Sequence, residues 1–209
     1  MTQECPLTRI VLASGSPRRL ELLRSLGLRV EAVASGYHEP DLPGVSPRLL
    51  AAAHAREKLA ASLGSASRAV RLTVPVVAAD TVVDLDGLAL GKPVDGRDAA
   101  RMLRLLSGRE HRVHTAFALA VPGRDAPVEE VSTTRVRFYA LEDAEIDAYV
   151  ATGESLDKAG AYGIQGSAAA LVEAVDGDFY TVVGFPVGRF VRALRRLGFS
   201  LPTAKPTAP

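Results

Sequence analysis

Residues 74–93 read VPVVAADTVVDLDGLALGKP, and the parsing of this stretch decides the fold. Val74 to Ala79 is a short apolar run rich in valine, the makeup of a buried strand. Asp86-Gly87 is the preferred two-residue turn of a hairpin, so the strand is expected to run into a reversal there. On this reading Asp80 ends the strand VPVVAAD, and its carboxylate emerges at a strand edge, where open α/β sheets place ligands. The alternative is that Asp80 only caps a turn, and Asp84 and Asp86 read as turn residues in either case.

Upstream, residues 10–27 read IVLASGSPRRLELLRSLG. Ile10 to Ala13 predicts a strand, Ser16-Pro17 a helix start and Gly27 a helix stop. Arg18 and Arg19 then fall in the first helical turn, where the backbone already presents a positive end. Either they point into solvent, or the small turn Ser14-Gly15-Ser16 and both guanidinium groups receive an anion such as a polyphosphate. The loop is neither a Walker A motif nor a dinucleotide fingerprint, since the required glycine spacing is absent.

The elements that follow alternate in type. A strand is predicted in LRVEAVASG, and a helix from Ser46-Pro47 to a stop at Gly64, with Leu49, Leu50, Ala53, Ala60 and Leu63 as its stripe. Asp98 is expected to cap a helix with Met102, Leu105 and Leu106 inward. The segments HRVHTAFALAV and VEEVSTTRVRFYAL predict a half-buried antiparallel hairpin, in which Val113, Thr115, Phe117, Leu119 and Val121 share a face. A short helix, a glycine-rich loop (DKAGAYGIQGSAA), two short strands and a final helix complete residues 1–200, one α/β domain with a mixed sheet and flanking helices. Residues 201–209, rich in Pro, Thr and Ala, are expected to form a disordered tail.

Composition narrows the function classes. With 25 basic and 24 acidic residues the formal net charge is +1, which gives no support for a nucleic-acid or membrane surface. One cysteine, Cys5, excludes a disulfide framework and a multi-cysteine zinc site, and the lack of a signal-like or membrane-spanning run fits a cytoplasmic protein. His111 and His114, three apart on a strand, are expected to face opposite sides. Lys58 and Lys92 read as solvated charges when taken singly. Gln165, in the glycine-rich loop, has an amide able to read a base edge.

Taken in order, LASGSPRRLELL, EKLA, ADTVV, LGKP, LSGREHRVHTA, TGESLDKAGAYGIQG and VVGFP resemble the Maf family of nucleoside triphosphate pyrophosphatases across nearly the whole chain. The resemblance implies a fold related to the inosine triphosphate pyrophosphatases (the Maf/Ham1 type), with a nucleotide cleft between two lobes. It implies metal-dependent hydrolysis of a nucleoside triphosphate to the monophosphate and pyrophosphate, with Mg²⁺ or Mn²⁺, in a homodimer. Asp80 matches the family's proton acceptor, and Arg18, Thr81 and Gln165 match its specificity positions. Ser14, Arg19, Glu39, Lys58 and Lys92 match phosphate or metal positions, with Glu39 and Asp80 as metal ligands. The form DKAGAYGIQG is similar to the dTTP and UTP branch; the 7-methyl-GTP branch and a regulatory module that binds nucleotide without turnover are the alternatives. His38 stands where the family often has an acidic residue, Thr181 where it often has Asn, and Phe185 where it usually has Leu.

Overall fold

The computed structural model describes residues 5–40, 42–65 and 73–202. Its organising element is the strand β4 (Val76–Leu85), the centre of a seven-stranded mixed sheet. On one edge β4 pairs antiparallel with β6 (Glu110–Ala120), which pairs antiparallel with β7 (Val128–Phe138), which in turn pairs with β8 (Val172–Asp176). The other edge is shared by two strands. The parallel strand β2 (Arg9–Leu12) takes its start, Leu12 opposite Val77, and the antiparallel strand β5 (Leu88–Leu90) takes its end, from Val83 opposite Leu90. Outside β2 lies the parallel strand β3 (Arg29–Ala32).

Asp80 therefore does not end a strand. Its backbone stays in register with Ala116 of β6, and the strand continues to the Asp86-Gly87 turn, where φ values of 53° and 89° make the reversal. The shared edge is open at this position: among the described residues no strand pairs with residues 78–82 there.

Strand alternation divides the core. Val76, Ala78 and Val82 of β4, with Ala116 and Ala118 of β6, face the helix α2 (Pro47–Ser65) and pack on Ala51, Ala55 and Leu59. The expected stripe of α2 holds only in part: Leu50 and Leu63 pack against this cluster partly buried, but Leu49 is 57% exposed, Ala60 is exposed, and the buried positions are 47, 51, 54, 55, 58, 59 and 62. A sheet face lined by alanine and valine accepts the face of α2 that carries Ala51, Ala55 and Leu59. The helix also runs through Gly64 to Ser65.

On the opposite face Val77, Ala79, Phe117 and Leu119 pack with Leu23 of α1 (Pro17–Ser25) and with Phe190 and Leu194 of α6 (Val187–Arg196). Further along, Val83, Leu85, Val113 and Val136 pack with Leu103 and Leu106 of α3 (Gly96–Leu106) and with Ile146 and Tyr149 of α4 (Asp143–Ala151). Because helices cover both faces, β6 is buried on both instead of half-buried.

Two local expectations also change. Asp95, not Asp98, caps α3: its side chain accepts from the Asp98 backbone N–H at 2.8 Å, so the helix starts two residues before Asp98. Of the two short strands expected between the glycine-rich loop and the final helix only β8 forms there; the segment FYTVV is the short helix α5 (Phe179–Val183), because Asp178 caps its start and Gly184, at φ 118°, ends it. Past α6, the two-residue strand β9 (Phe199–Ser200) pairs in parallel with β1 (Cys5–Pro6). The expected tail is described only at Leu201 and Pro202; its remainder lies outside the described residues.

Candidate active site

The gap on the β4 edge is bordered by charged groups from three elements. Asp80, 4% exposed, points to the α2 side of the sheet. There the Lys58 Nζ donates to Asp80 Oδ1 at 2.6 Å and lies 2.6 Å from Glu39 Oε1. Lys58 is itself 8% exposed, placed by the turn of α2 that seats Leu59 in the core. Glu39 arrives on the loop after β3, where Tyr37 packs on His54 with its Oη 3.3 Å from Nδ1. Partial burial pushes the Glu39 carboxyl up, but the Lys58 hydrogen bond and the charges of Lys58 and Lys92 outweigh it and hold the group below its ordinary value.

The second group of predicted residues meets on the other face of β4. The Arg19 guanidinium, in a residue 9% exposed, donates through Nε to Gly184 O at 2.8 Å. Its Nη1 donates to Ala79 O at 2.9 Å and Ser14 Oγ at 3.2 Å, and its Nη2 to Thr81 Oγ1 at 3.0 Å. Four of the five N–H groups of the side chain are thus engaged with protein, which is not the free phosphate-holding guanidinium that the sequence suggests. Burial lowers the Arg19 pKa, partly offset by the Asp80 charge.

Arg18 does face outward, with its Nη1 3.7 Å from Asp157 Oδ2 of the glycine-rich loop. Lys92 and Gln165 are exposed. Their two segments are tied together, since Gly160 N donates to Gly91 O at 3.0 Å. A Cβ on Gly160 would lie 2.9 Å from the Val83 side chain, and its φ is 66°, so this crossing of the loop over β4 requires glycine. The loop is pinned at its far side by Tyr162, whose Oη is 2.7 Å from His111 Nε2 in the core.

Ser16 is the N-cap of α1, but its side chain makes no capping bond; its own N–H donates to Ser14 Oγ at 3.2 Å. The start of α1 therefore keeps backbone donors without a side-chain cap next to Arg18, a setting that favours an anion. Among the described residues no three His, Cys, Asp or Glu side chains gather as a metal site. Two carboxylates, Glu39 and Asp80, do converge on one point, now held by an ammonium. Mg²⁺ and Mn²⁺ take hard oxygen donors, and Mg²⁺ commonly uses one or two carboxylates plus phosphate oxygens, so this donor set fits such a cation shared with a phosphate ligand.

Several participants were not legible in the sequence. Tyr37 and His54 are far apart in the chain, Asp157 is the partner of Arg18, and Thr115, legible only as an inward strand position, sits beside Thr81 with their hydroxyls 2.9 Å apart. His111 and His114 do face opposite sides: His114 Nε2 is 3.0 Å from Asp84 Oδ2 on the α2 side, where Asp84 also accepts from Gly87 N.

The profile of the family described as Maf-like protein matches residues 9–197, and the chain belongs to that family. Its relatives carry a more particular name. A dTTP/UTP pyrophosphatase of Thermus thermophilus is 50% identical over 190 residues, 91% of this chain and 95% of the relative. One from Anaeromyxobacter dehalogenans is 50% identical over 200 residues, 95% and 98% of the two chains, and one from Geobacter metallireducens is 46% identical over 191 residues, 91% and 97%. Among solved structures the Staphylococcus aureus Ham1 protein has a partial likeness, with a TM-score of 0.40 and 12% identity over 63% of this chain and 72% of that one.

Proposed function

We propose that the protein is a nucleoside triphosphate pyrophosphatase that opens the anhydride bond between the α- and β-phosphates of dTTP and UTP. The observation that carries this reading is the convergence of Asp80 and Glu39 on Lys58 beside the uncapped start of α1. The names of relatives at 46–50% identity over most of both chains support it.

In this reading the triphosphate lies over the Ser14–Ser16 turn, with Arg18, Lys58 and Lys92 neutralising its charge and the backbone N–H groups of α1 donating to its oxygens. Glu39 and Asp80 would hold Mg²⁺ or Mn²⁺ together with phosphate oxygens, and the ion would supply charge neutralisation and a more acidic water. Asp80 takes the proton of the attacking water, whose oxygen bonds to phosphorus as the bridging P–O bond breaks and its electron pair leaves with pyrophosphate. Lys58, hydrogen-bonded to Oδ1, fixes the rotamer from which Asp80 does this. Thr81 and Gln165 contribute to nucleotide choice, Gln165 from the loop that Gly160 and Tyr162 anchor. The same reading carries a cytoplasmic homodimer, which sedimentation would test.

Purified protein with Mg²⁺ should release pyrophosphate from dTTP and UTP faster than from other nucleoside triphosphates. Asp80→Asn should lower that rate by at least about 100-fold while leaving nucleotide binding measurable. Tight binding without product in the unaltered protein would instead favour a nucleotide-sensing module.

A further inference from the structure

The shared edge of β4 leaves a row of backbone groups to be satisfied. Val77 O accepts from Ala13 N at 2.8 Å, the last such bond that the β2 segment makes to β4. The next carbonyl pointing to that edge is Ala79 O, before β5 begins at Val83. Its partner is Arg19 Nη1 at 2.9 Å. A buried carbonyl without a donor is costly, and here a planar guanidinium stands where a neighbouring strand would be.

The same guanidinium reaches both flanks of Asp80, Ala79 O before it and Thr81 Oγ1 after it, while Ser14 Oγ ties in the turn before α1 and Gly184 O the turn between α5 and α6. From Thr81 the hydrogen bonds continue in one direction. Thr115 Oγ1 donates to Thr181 O at 2.7 Å, so its single proton is used, and Thr81 must be the donor in the 2.9 Å pair with Thr115. Thr81 in turn accepts from Arg19. Thr181 Oγ1 lies 2.8 Å from both Asp178 Oδ2 and Ser132 Oγ, which locks the far end of the row. Arg19, Thr115 and Thr181 are all buried, the last two with no exposure at all.

We propose that Arg19 is a positioning residue: it acts through the backbone of β4 to hold Asp80 against the Ser14 turn, and the chain Thr81–Thr115–Thr181 fixes that placement to the α5–α6 turn. The role rests on the pyrophosphatase reading above but differs from phosphate binding in what it demands. A phosphate ligand needs a positive charge, which lysine also supplies. A surrogate strand needs donors fixed in four directions in one plane, which lysine's compact ammonium does not supply. Displacement of a catalytic group by about 1 Å costs on the order of 100-fold in rate.

The test uses Arg19→Lys and Thr115→Val in the full chain, with pyrophosphate release from dTTP and UTP, the Kd of inorganic pyrophosphate in Mg²⁺, and thermal unfolding measured side by side. Arg19→Lys should lower kcat about 100-fold with KM and the pyrophosphate Kd within about threefold of the unaltered protein. Thr115→Val, which leaves the Thr81 proton without its acceptor, should lower kcat several-fold with KM unchanged. A retained kcat with a tenfold rise in KM and in the pyrophosphate Kd for Arg19→Lys would overturn the proposal in favour of a phosphate ligand. A lowered melting temperature with unchanged kcat per folded molecule in both variants would overturn it in favour of a purely structural role. Should Arg19→Lys not fold, Thr115→Val decides alone: a normal kcat there refutes the chain. Absence of pyrophosphate release by the unaltered protein refutes the functional reading itself, and this role with it.

Discussion

The two faces of β4 around Asp80 carry opposite kinds of polarity. On the α2 side, two carboxylates share one ammonium, and Glu39, with a side chain 41% exposed, stands at the open end of the trio. On the other side, hydroxyls, carbonyls and one guanidinium are joined donor to acceptor into a closed row between two apolar clusters. The first arrangement changes when an anion or cation arrives, because each charge has an alternative partner. The second has little capacity left and serves to hold the first in place. A single strand can support both because its side chains alternate and only one edge is missing a neighbour.

The comparison is broken most directly at Lys58. Lys58→Met removes the cation that pairs with both Asp80 and Glu39 and leaves a buried carboxylate without that ion pair. Loss of one partner of a buried pair is strongly destabilising, and the half-open Glu39 places the expected cost at the low end, about 3 kcal/mol, readable from urea unfolding at neutral pH. A neutral result would show that the trio is already solvated and that the two faces do not differ in kind.

A comparable effect is expected from pH on the other face. Burial holds the His111 imidazole down at about 4, from an ordinary 6.5. Between those values the unfolded chain takes up a proton that the folded chain refuses, so stability falls as pH drops from 6.5 towards 4. The total is about 3 kcal/mol. Urea midpoints across this window for the unaltered protein and His111→Gln would isolate the contribution, which the variant should lack. Since His111 anchors Tyr162, nucleotide KM should rise in the variant along with the flattened profile.

The smallest effect belongs to a charge pair on the same helix as Lys58. Arg56 forms a bidentate pair with Glu129 of β7, with bonds of 2.8 and 2.9 Å, but its side chain is 55% exposed. Arg56→Ala should cost less than about 1 kcal/mol and leave kcat unchanged, which separates the charge that solvent screens from the one that it does not.

How far the sequence could be read differs between these regions. The turn at Asp86-Gly87, the helix start at Pro17 and the opposed histidines follow from local geometry, and all are found. The stripe of α2 was legible only at Leu50 and Leu63, because hydrophobicity ranks leucine above alanine while the buried face is centred on Ala51 and Ala55. The second of the two short strands expected before the final helix is a helix instead, set by the cap at Asp178 and the left-handed Gly184.

For the site, the residue types and their local setting were enough to point to Ser14, Arg18, Arg19, Asp80 and Gln165, whereas Glu39, Lys58, Thr81 and Lys92 entered only through the resemblance to the Maf family. What tertiary structure alone decided is which of them share a surface. Lys58 meets Asp80 because helix packing sets the rotation of α2, and Arg19 turns inward because the β4 edge lacks a strand at Ala79. Both are consequences of pairing between segments 22 and 60 residues apart, which no local pattern encodes.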